Sequence, residues 1–200
     1  AVGIDASLEM LRTARSTAAL PAAIASATRL PFSGEAFDIV TAAFVLSHIR
    51  DYAAALAEIA RVCTAGGRVG ISAWGAAGSG ASTWSRVASH YTAIDRVERA
   101  VDDAIPWHRH FSRPGALGRA LCEAGLVDVR ETTRQIVVRV PTRDYVAMKC
   151  ASVEGAILRH VLDGMTWTAF IMSITSALGR EFGGTVEYTR ETHLARGTRR

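Results

Sequence analysis

Residues 2 to 5, Val-Gly-Ile-Asp, form a short apolar run that ends on a single carboxylate, and Ser7 follows as a helix N-cap. A strand that closes on an acid and leads directly into a helix commits the chain to an α/β fold within its first residues. In nucleotide-binding units of this type, a carboxylate at the tip of the second strand can hold both hydroxyls of a ribose. The glycine-rich loop of the first strand lies roughly 20 residues before that acid. Only four residues precede Asp5, so the chain is expected to open one strand late.

The remaining pattern keeps the alternation of a parallel sheet with crossover helices. Periodicity predicts a helix from Leu8 to Ala19, a short strand at Ala22 to Ser26, and a continuous apolar strand at Phe37 to Phe44, expected to be buried on both faces. Leu30-Pro31-Phe32-Ser33-Gly34 is a turn-rich connection between the two strands. Tyr52, Leu56, Ile59, Ala60 and Cys63 recur at three- and four-residue steps, giving an amphipathic helix that Gly66-Gly67 should stop before a strand at Arg68 to Ala73. Residues 75 to 82 read as a flexible loop. Pro114 opens a helix closed by Gly125, Val127 to Val140 has strand character, and Thr142 to Phe182 is helical throughout. Gly183-Gly184 leads into an alternating strand from Thr185 to Ala195.

Composition narrows the function classes. The 49% apolar content suits one domain with a sizeable core. The 23 basic residues exceed the acids by only four and include a single lysine, Lys149, without a basic run interleaved with aromatics, so a nucleic-acid partner is not expected. Cys63, Cys122 and Cys150 are odd in number and contain no Cys-x-x-Cys pair, which suggests reduced thiols in a cytoplasmic protein. The most apolar stretch, Met165 to Leu178, is too short to span a bilayer.

The ordered blocks resemble the class I S-adenosylmethionine-dependent methyltransferases, within the group that includes the quinone-biosynthesis methyltransferases. The carriers are Val2 to Asp5 with Ser7 to Arg15, Ala27-Thr28-Arg29-Leu30-Pro31-Phe32, and Phe37-Asp38-Ile39-Val40. They continue with Leu46-Ser47-His48-Ile49 and with Glu58 to Val62 running through Gly66-Gly67-Arg68. The resemblance implies a doubly wound, Rossmann-like sheet of seven strands in the order 3-2-1-4-5-7-6, with strand 1 and its glycine loop missing from this chain. It also implies one methyltransferase domain over residues 1–200, with a helical cap, 142–182, inserted before the last strand. Because strand 1 is central in that order, its loss leaves backbone donors and acceptors unpaired. The chain is therefore expected to be a fragment lacking roughly 30 residues or more, one strand-helix crossover.

What the resemblance implies for the site is S-adenosylmethionine as cofactor, with Asp5 on the ribose and Ala6 beside the adenine. Ser26 and Ala27 stand where Asp-Ala is usual, so a serine hydroxyl replaces the carboxylate that accepts from the adenine amino group. Thr28 completes that edge, and Phe44, just past the fourth strand, touches the cofactor or lines the acceptor pocket, with a plain core role as its alternative. His48 is the acid-base candidate, with helix-start packing as its alternative role. The acceptor is expected to be a small hydrophobic or aromatic molecule, on the composition of the cap. Trp107-His108-Arg109-His110 suggests a substrate lid or a solvent-exposed loop rather than a metal site. Two other classes stay open: a non-catalytic cofactor-binding module of the same fold, and a nicotinamide-dependent oxidoreductase, against which stands the absence of a Tyr-x-x-x-Lys pair.

Overall fold

The structure is a computed structural model that describes residues 1–17, 21–75 and 79–200. Its elements run β1 (Gly3–Asp5), α1 (Leu8–Thr17), β2 (Ala22–Ile24), β3 (Phe37–Ala43), a 3₁₀ turn (Leu46–His48), α2 (Tyr52–Val62) and β4 (Cys63–Trp74). There follow α3 (Ser79–Ala88), α4 (Ile94–Ala104), α5 (His108–Phe111), α6 (Ala116–Glu123) and β5 (Val127–Pro141). The chain continues with α7 (Thr142–Cys150), α8 (Val153–Val161), α9 (Gly164–Phe182) and β6 (Thr185–Thr198). The expected extension of the first helix to Ala19 falls on residues outside those described. Of the loop expected at 75 to 82, residues 76–78 also lie outside them, and Ser79 already begins α3.

The strands pair as β1-β2 and as β3-β4-β6-β5. In the numbering of the order expected above, these neighbours are 3-2 and 4-5-7-6, found as two sheets of two and four strands rather than one of seven. Both β1 with β2 and β3 with β4 are parallel, as crossover connections through helices require. Two compact units result. One comprises Ala1–Ala73, Gly115–Thr132 and Leu194–Arg200; the other comprises Trp74–Pro114 and Thr133–His193.

In the first unit, Asp51 accepts from the Ala54 N–H at 2.9 Å and so caps α2, whose Ala55, Leu56, Ile59 and Val62 are buried. This helix touches β3 and α6, and α6 buries Ala116, Leu117, Ala120 and Leu121. On the β3–β4 pair, Val40 sits opposite Val69 and Ala42 opposite Ile71, which gives the sheet its buried face. The opposite face is not buried as expected: Ile39 is 66% exposed, and Thr41 and Ala43 are also exposed. Ser72, opposite Ala43 on that face, is buried at 6% exposure, but the β3 residues there are open, so a strand composed for burial on both sides is buried on one.

Gly66-Gly67 does not stop α2. The helix ends at Val62 because Cys63 is already extended, at φ −79° and ψ 136°, and β4 begins there. Phe37 pairs with Cys63 and Ile39 with Arg68, so two steps along β3 oppose five along β4 and residues 64–67 leave the ladder. Gly66 takes φ +76°, a left-handed conformation that glycine adopts without penalty. A Cβ on Gly67 would meet the Cys63 Sγ at 2.7 Å.

In the second unit, Trp84, Phe170, Leu158, Ile174 and Leu178 are fully buried, with the Trp84 and Phe170 rings edge to face at 4.9 Å. The segment from Thr142 to Phe182 is three helices. Ser152 accepts from the Gly155 N–H at 3.2 Å to start α8, and Asp163 accepts from the Thr166 N–H at 2.8 Å to start α9. Within α9, Phe170, Ile174, Ala177 and Leu178 are buried while Met165 and Met172 are exposed, an amphipathic arrangement. Among the described residues no helix is long and apolar enough to cross a membrane.

Candidate functional site

The residues expected to form the site each lie at or just after the carboxyl end of β1, β2 or β3, the end at which open α/β sheets bind ligands. Asp5 ends β1. Its Oδ1 accepts from the Ser7 N–H at 2.8 Å, which fixes the carboxylate against the start of α1, and its backbone oxygen accepts from the Ala25 N–H at 3.2 Å. The other carboxylate oxygen accepts no hydrogen bond among the described residues. Asp5 is half-buried and Ala6 is exposed.

Because Asp5 pairs with Ile24, the end of β2 brings Ser26, Ala27 and Thr28 beside it. Ser26 Oγ lies 2.8 Å from Thr28 Oγ1 and accepts from the Thr28 N–H at 3.3 Å, so it is engaged in a local turn of its own. The Ser26–Arg29 bridge closes that turn.

Phe44 follows β3 with φ +56°. A bulky residue in the left-handed region is an outlier, and such strain persists only where the surroundings hold it. Here the Phe44 N–H donates to the Ser72 backbone oxygen at 3.0 Å and to Ser72 Oγ at 3.2 Å, pinning the end of β3 to β4. His48 closes the 3₁₀ turn, its N–H donating to the Val45 oxygen at 3.0 Å, and its side chain is exposed. No backbone ladder joins β1 to β3 among the described residues, so Asp5 with Ser26–Thr28 and Phe44 with His48 form two groups.

A groove of about 500 Å³ lies on the uncovered sheet face, bordered by Thr41, Ala43, Gly70, Ser72, Arg130 and Arg196. None of the expected site residues lines it.

One element of the site escaped sequence reasoning. Glu58 and Arg61, read only as a family block on α2, together hold the loop that follows Thr28. Glu58 Oε2 accepts from the Leu30 N–H at 2.7 Å, while Arg61 donates to the oxygens of Phe32 at 2.9 Å and Leu30 at 3.2 Å. The two side chains also pair in fork geometry at 2.6 and 2.9 Å. Hydrogen bonds from Arg61, and then from the Leu30 N–H, hold the Glu58 carboxyl down from 4.5 to about 2. The signal in the sequence was the co-occurrence of Leu30-Pro31-Phe32 with Glu58-x-x-Arg61.

At the other expected feature, Trp107-His108-Arg109-His110, the chain forms α5 rather than an open loop. Arg109 pairs with Asp102 at 2.7 Å, and His108 lies 3.4 Å from the same carboxylate.

Comparison with known proteins matches residues 1–71 to the family model described as a methyltransferase domain. The match covers 71 of the 200 residues. Over 68 residues, 34% of this chain, it is 44% identical to a demethylmenaquinone methyltransferase of Mycobacterium sp. (strain KMS). The match spans 29% of that relative's length. Among solved structures, the YcgJ protein of Bacillus subtilis superposes with a TM-score of 0.56 at 19% identity, covering 100% of this chain and 82% of the other. A phosphoethanolamine N-methyltransferase 2 of Haemonchus contortus, in complex with phosphomonomethylethanolamine and S-adenosylhomocysteine, gives a TM-score of 0.53 at 15% identity, covering 100% of this chain and 43% of that one.

Proposed function

We propose that the chain serves S-adenosylmethionine-dependent transfer of a methyl group to a small hydrophobic or aromatic acceptor. The observation that carries this reading is Asp5, at the carboxyl end of β1, with one oxygen committed to the Ser7 N–H and the other accepting no hydrogen bond among the described residues. A carboxylate oriented in this way fits a vicinal diol, because it can accept from a hydroxyl without rearranging. The fit is weaker at the base: Ser26 already takes the Thr28 N–H and shares a hydrogen bond with Thr28 Oγ1, so its oxygen keeps a lone pair for an amino group only when Ser26 is the donor to Thr28. Ala6, Ala27 and Thr28 supply small side chains beside these two positions.

When bound, S-adenosylmethionine supplies a methyl group on a cationic sulfur, already activated toward an in-line nucleophile. What the protein adds is alignment and exclusion of water. Phe44, strained and pinned to Ser72, offers an apolar ring at a fixed place after β3. His48, exposed four residues later, is the group that takes a proton at an imidazole nitrogen when the acceptor must lose one. The free thiols of Cys63, Cys122 and Cys150 support a cytoplasmic setting.

Calorimetric titration of the full-length gene product with S-adenosylmethionine tests the reading. Saturable binding is expected, weakened about 10- to 100-fold in Asp5→Ala, the scale of a lost charge-assisted hydrogen bond. Absence of binding by the folded wild-type chain overturns it, and saturable binding of a nicotinamide cofactor instead selects the oxidoreductase.

A further inference from the structure

Arg130 of β5 and Arg196 of β6 border the groove of about 500 Å³ on the sheet, and every residue lining that groove belongs to the first unit. Across the two strands Arg139 pairs with Glu187 at 2.6 Å, Thr133 Oγ1 lies 2.9 Å from His193 Nδ1, and a Cβ on Gly197 would meet Val129 Cγ2 at 3.2 Å. That antiparallel register sets Arg130 directly opposite Arg196, and Thr132 opposite Leu194. Like charges facing each other across a strand pair repel. Both arginines are exposed, and neither takes part in an ion pair or hydrogen bond among the described residues. No carboxylate lines the groove beside them.

The rest of the lining specifies what the missing anion carries. Beyond the two arginines the walls include Ala42, Ala43, Gly70, Ile71 and Leu194, all small or aliphatic, and no aromatic ring lines the groove. Leu194 is 40% exposed, so the trough presents apolar surface to water. Gly70 leaves the floor bare: a Cβ there would meet Thr41 Cγ2 at 3.7 Å, an ordinary contact. An open aliphatic trough without rings suits a flexible hydrocarbon chain, and its volume falls within the roughly 300 to 1,000 Å³ of small-molecule sites. Two guanidinium groups at one side of it suit a single carboxylate, which accepts from both at once.

We infer that this groove binds a monomeric amphiphilic anion, a carboxylate on a saturated hydrocarbon chain, with the head bridging Arg130 and Arg196 and the chain lying along Gly70 and Leu194. Such a ligand neutralises the two facing charges and removes aliphatic surface from water in the same step. No bond is made or broken. The site shares no residue with the candidate cofactor site and does not depend on the methyl-transfer reading.

The test is calorimetric titration of the full-length gene product with decanoate below its micellar concentration, with decan-1-ol and acetate in parallel. Saturable decanoate binding in the submillimolar range is expected, with the neutral alcohol and the chainless acetate about 10-fold weaker or more. Arg130→Gln and Arg196→Gln should each weaken decanoate about 10- to 100-fold, the scale of a lost charge-assisted hydrogen bond, and leave decan-1-ol unchanged. Each variant removes one of two facing like charges, so its melting should match or exceed wild type, which separates lost recognition from lost fold. Gly70→Leu fills the trough and should abolish decanoate binding with the arginines intact. Equal affinity for decan-1-ol, unchanged decanoate affinity in the arginine variants, or no decanoate binding by the wild-type protein overturns the inference. So does binding to phosphatidylglycerol vesicles without a response to monomeric decanoate, which assigns the face to a lipid surface. A dimer in sedimentation that ignores decanoate and dissociates in Gly70→Leu assigns the face to a second copy and overturns it too. S-adenosylmethionine is titrated separately, so failure of either ligand to bind leaves the reading of the other site standing.

Discussion

Removing the carboxylate of Glu58 should loosen the connection between β2 and β3 in a pH-dependent way. In Glu58→Ala the Leu30 N–H loses its acceptor and Arg61 loses a partner held at 2.6 Å. A hydrogen bond to a charged group contributes about 1.5 to 3 kcal/mol. The ion pair adds little, because Arg61 is 39% exposed and Glu58 19%, where solvent screens most of the attraction. The expected loss near neutral pH is therefore about 1.5 to 3 kcal/mol, nearly all from the Leu30 contact. The sign with pH follows from the folded carboxyl titrating at about 2 instead of 4.5. The stabilisation is complete above the ordinary carboxylate range and disappears as pH falls from about 4.5 toward 2. Urea denaturation of wild type and variant across that interval should show the two stabilities converging. A difference that stays constant down to the acid limit, or one absent at neutral pH, refutes the account of the loop being held by an ionised Glu58.

Two further outcomes follow from strain and burial. At Phe44, with φ +56°, Phe44→Gly relieves the left-handed conformation whereas Phe44→Val keeps it with a β-branched side chain. The glycine variant should be the more stable of the two by about 1 to 2 kcal/mol in urea melts, and the reverse order would remove strain as an explanation. Burial raises the Tyr145 phenol from 10 to about 12, so the unfolded chain releases this proton first and stability falls as pH rises through that interval. Tyr145→Phe should flatten the alkaline decline in a pH series of melts, and an unchanged slope counts against it.

Much of the fold was legible because strands and helices here differ in period. The carboxyl-end position of Asp5 and the paired ends of β1 and β2 followed from apolar runs and one acid. Ser152 and Asp163 were standard cap signals inside a segment that read as uniformly helical, and their side chains divide it into three helices. The exposure of Ile39 was not legible. Its composition records a strand suited to two covered faces, whereas the layer that covers a face is a property of other segments. Gly66-Gly67 misled because a helix stop and a strand excursion demand the same left-handed freedom. The hold of Glu58 and Arg61 on Leu30 and Phe32 spans 28 to 31 residues, and the Arg190 stack on Trp74 joins two distant strands. Neither leaves a local period to detect.

The excursion at residues 64–67 has its own consequence for how this chain tolerates changes of length. Side chains alternate across a sheet, so an added or deleted residue normally inverts everything downstream. Here the ladder is interrupted between Cys63 and Arg68, and Val69 and Ile71 take their inward orientation from Val40 and Ala42, not from the residues before them. The segment acts as an expansion joint: a one-residue insertion between Cys63 and Gly66, ahead of the Gly66 and Gly67 bonds to Arg199, is expected to be absorbed there, while the same insertion after Val69 is expected to turn the strand inside out.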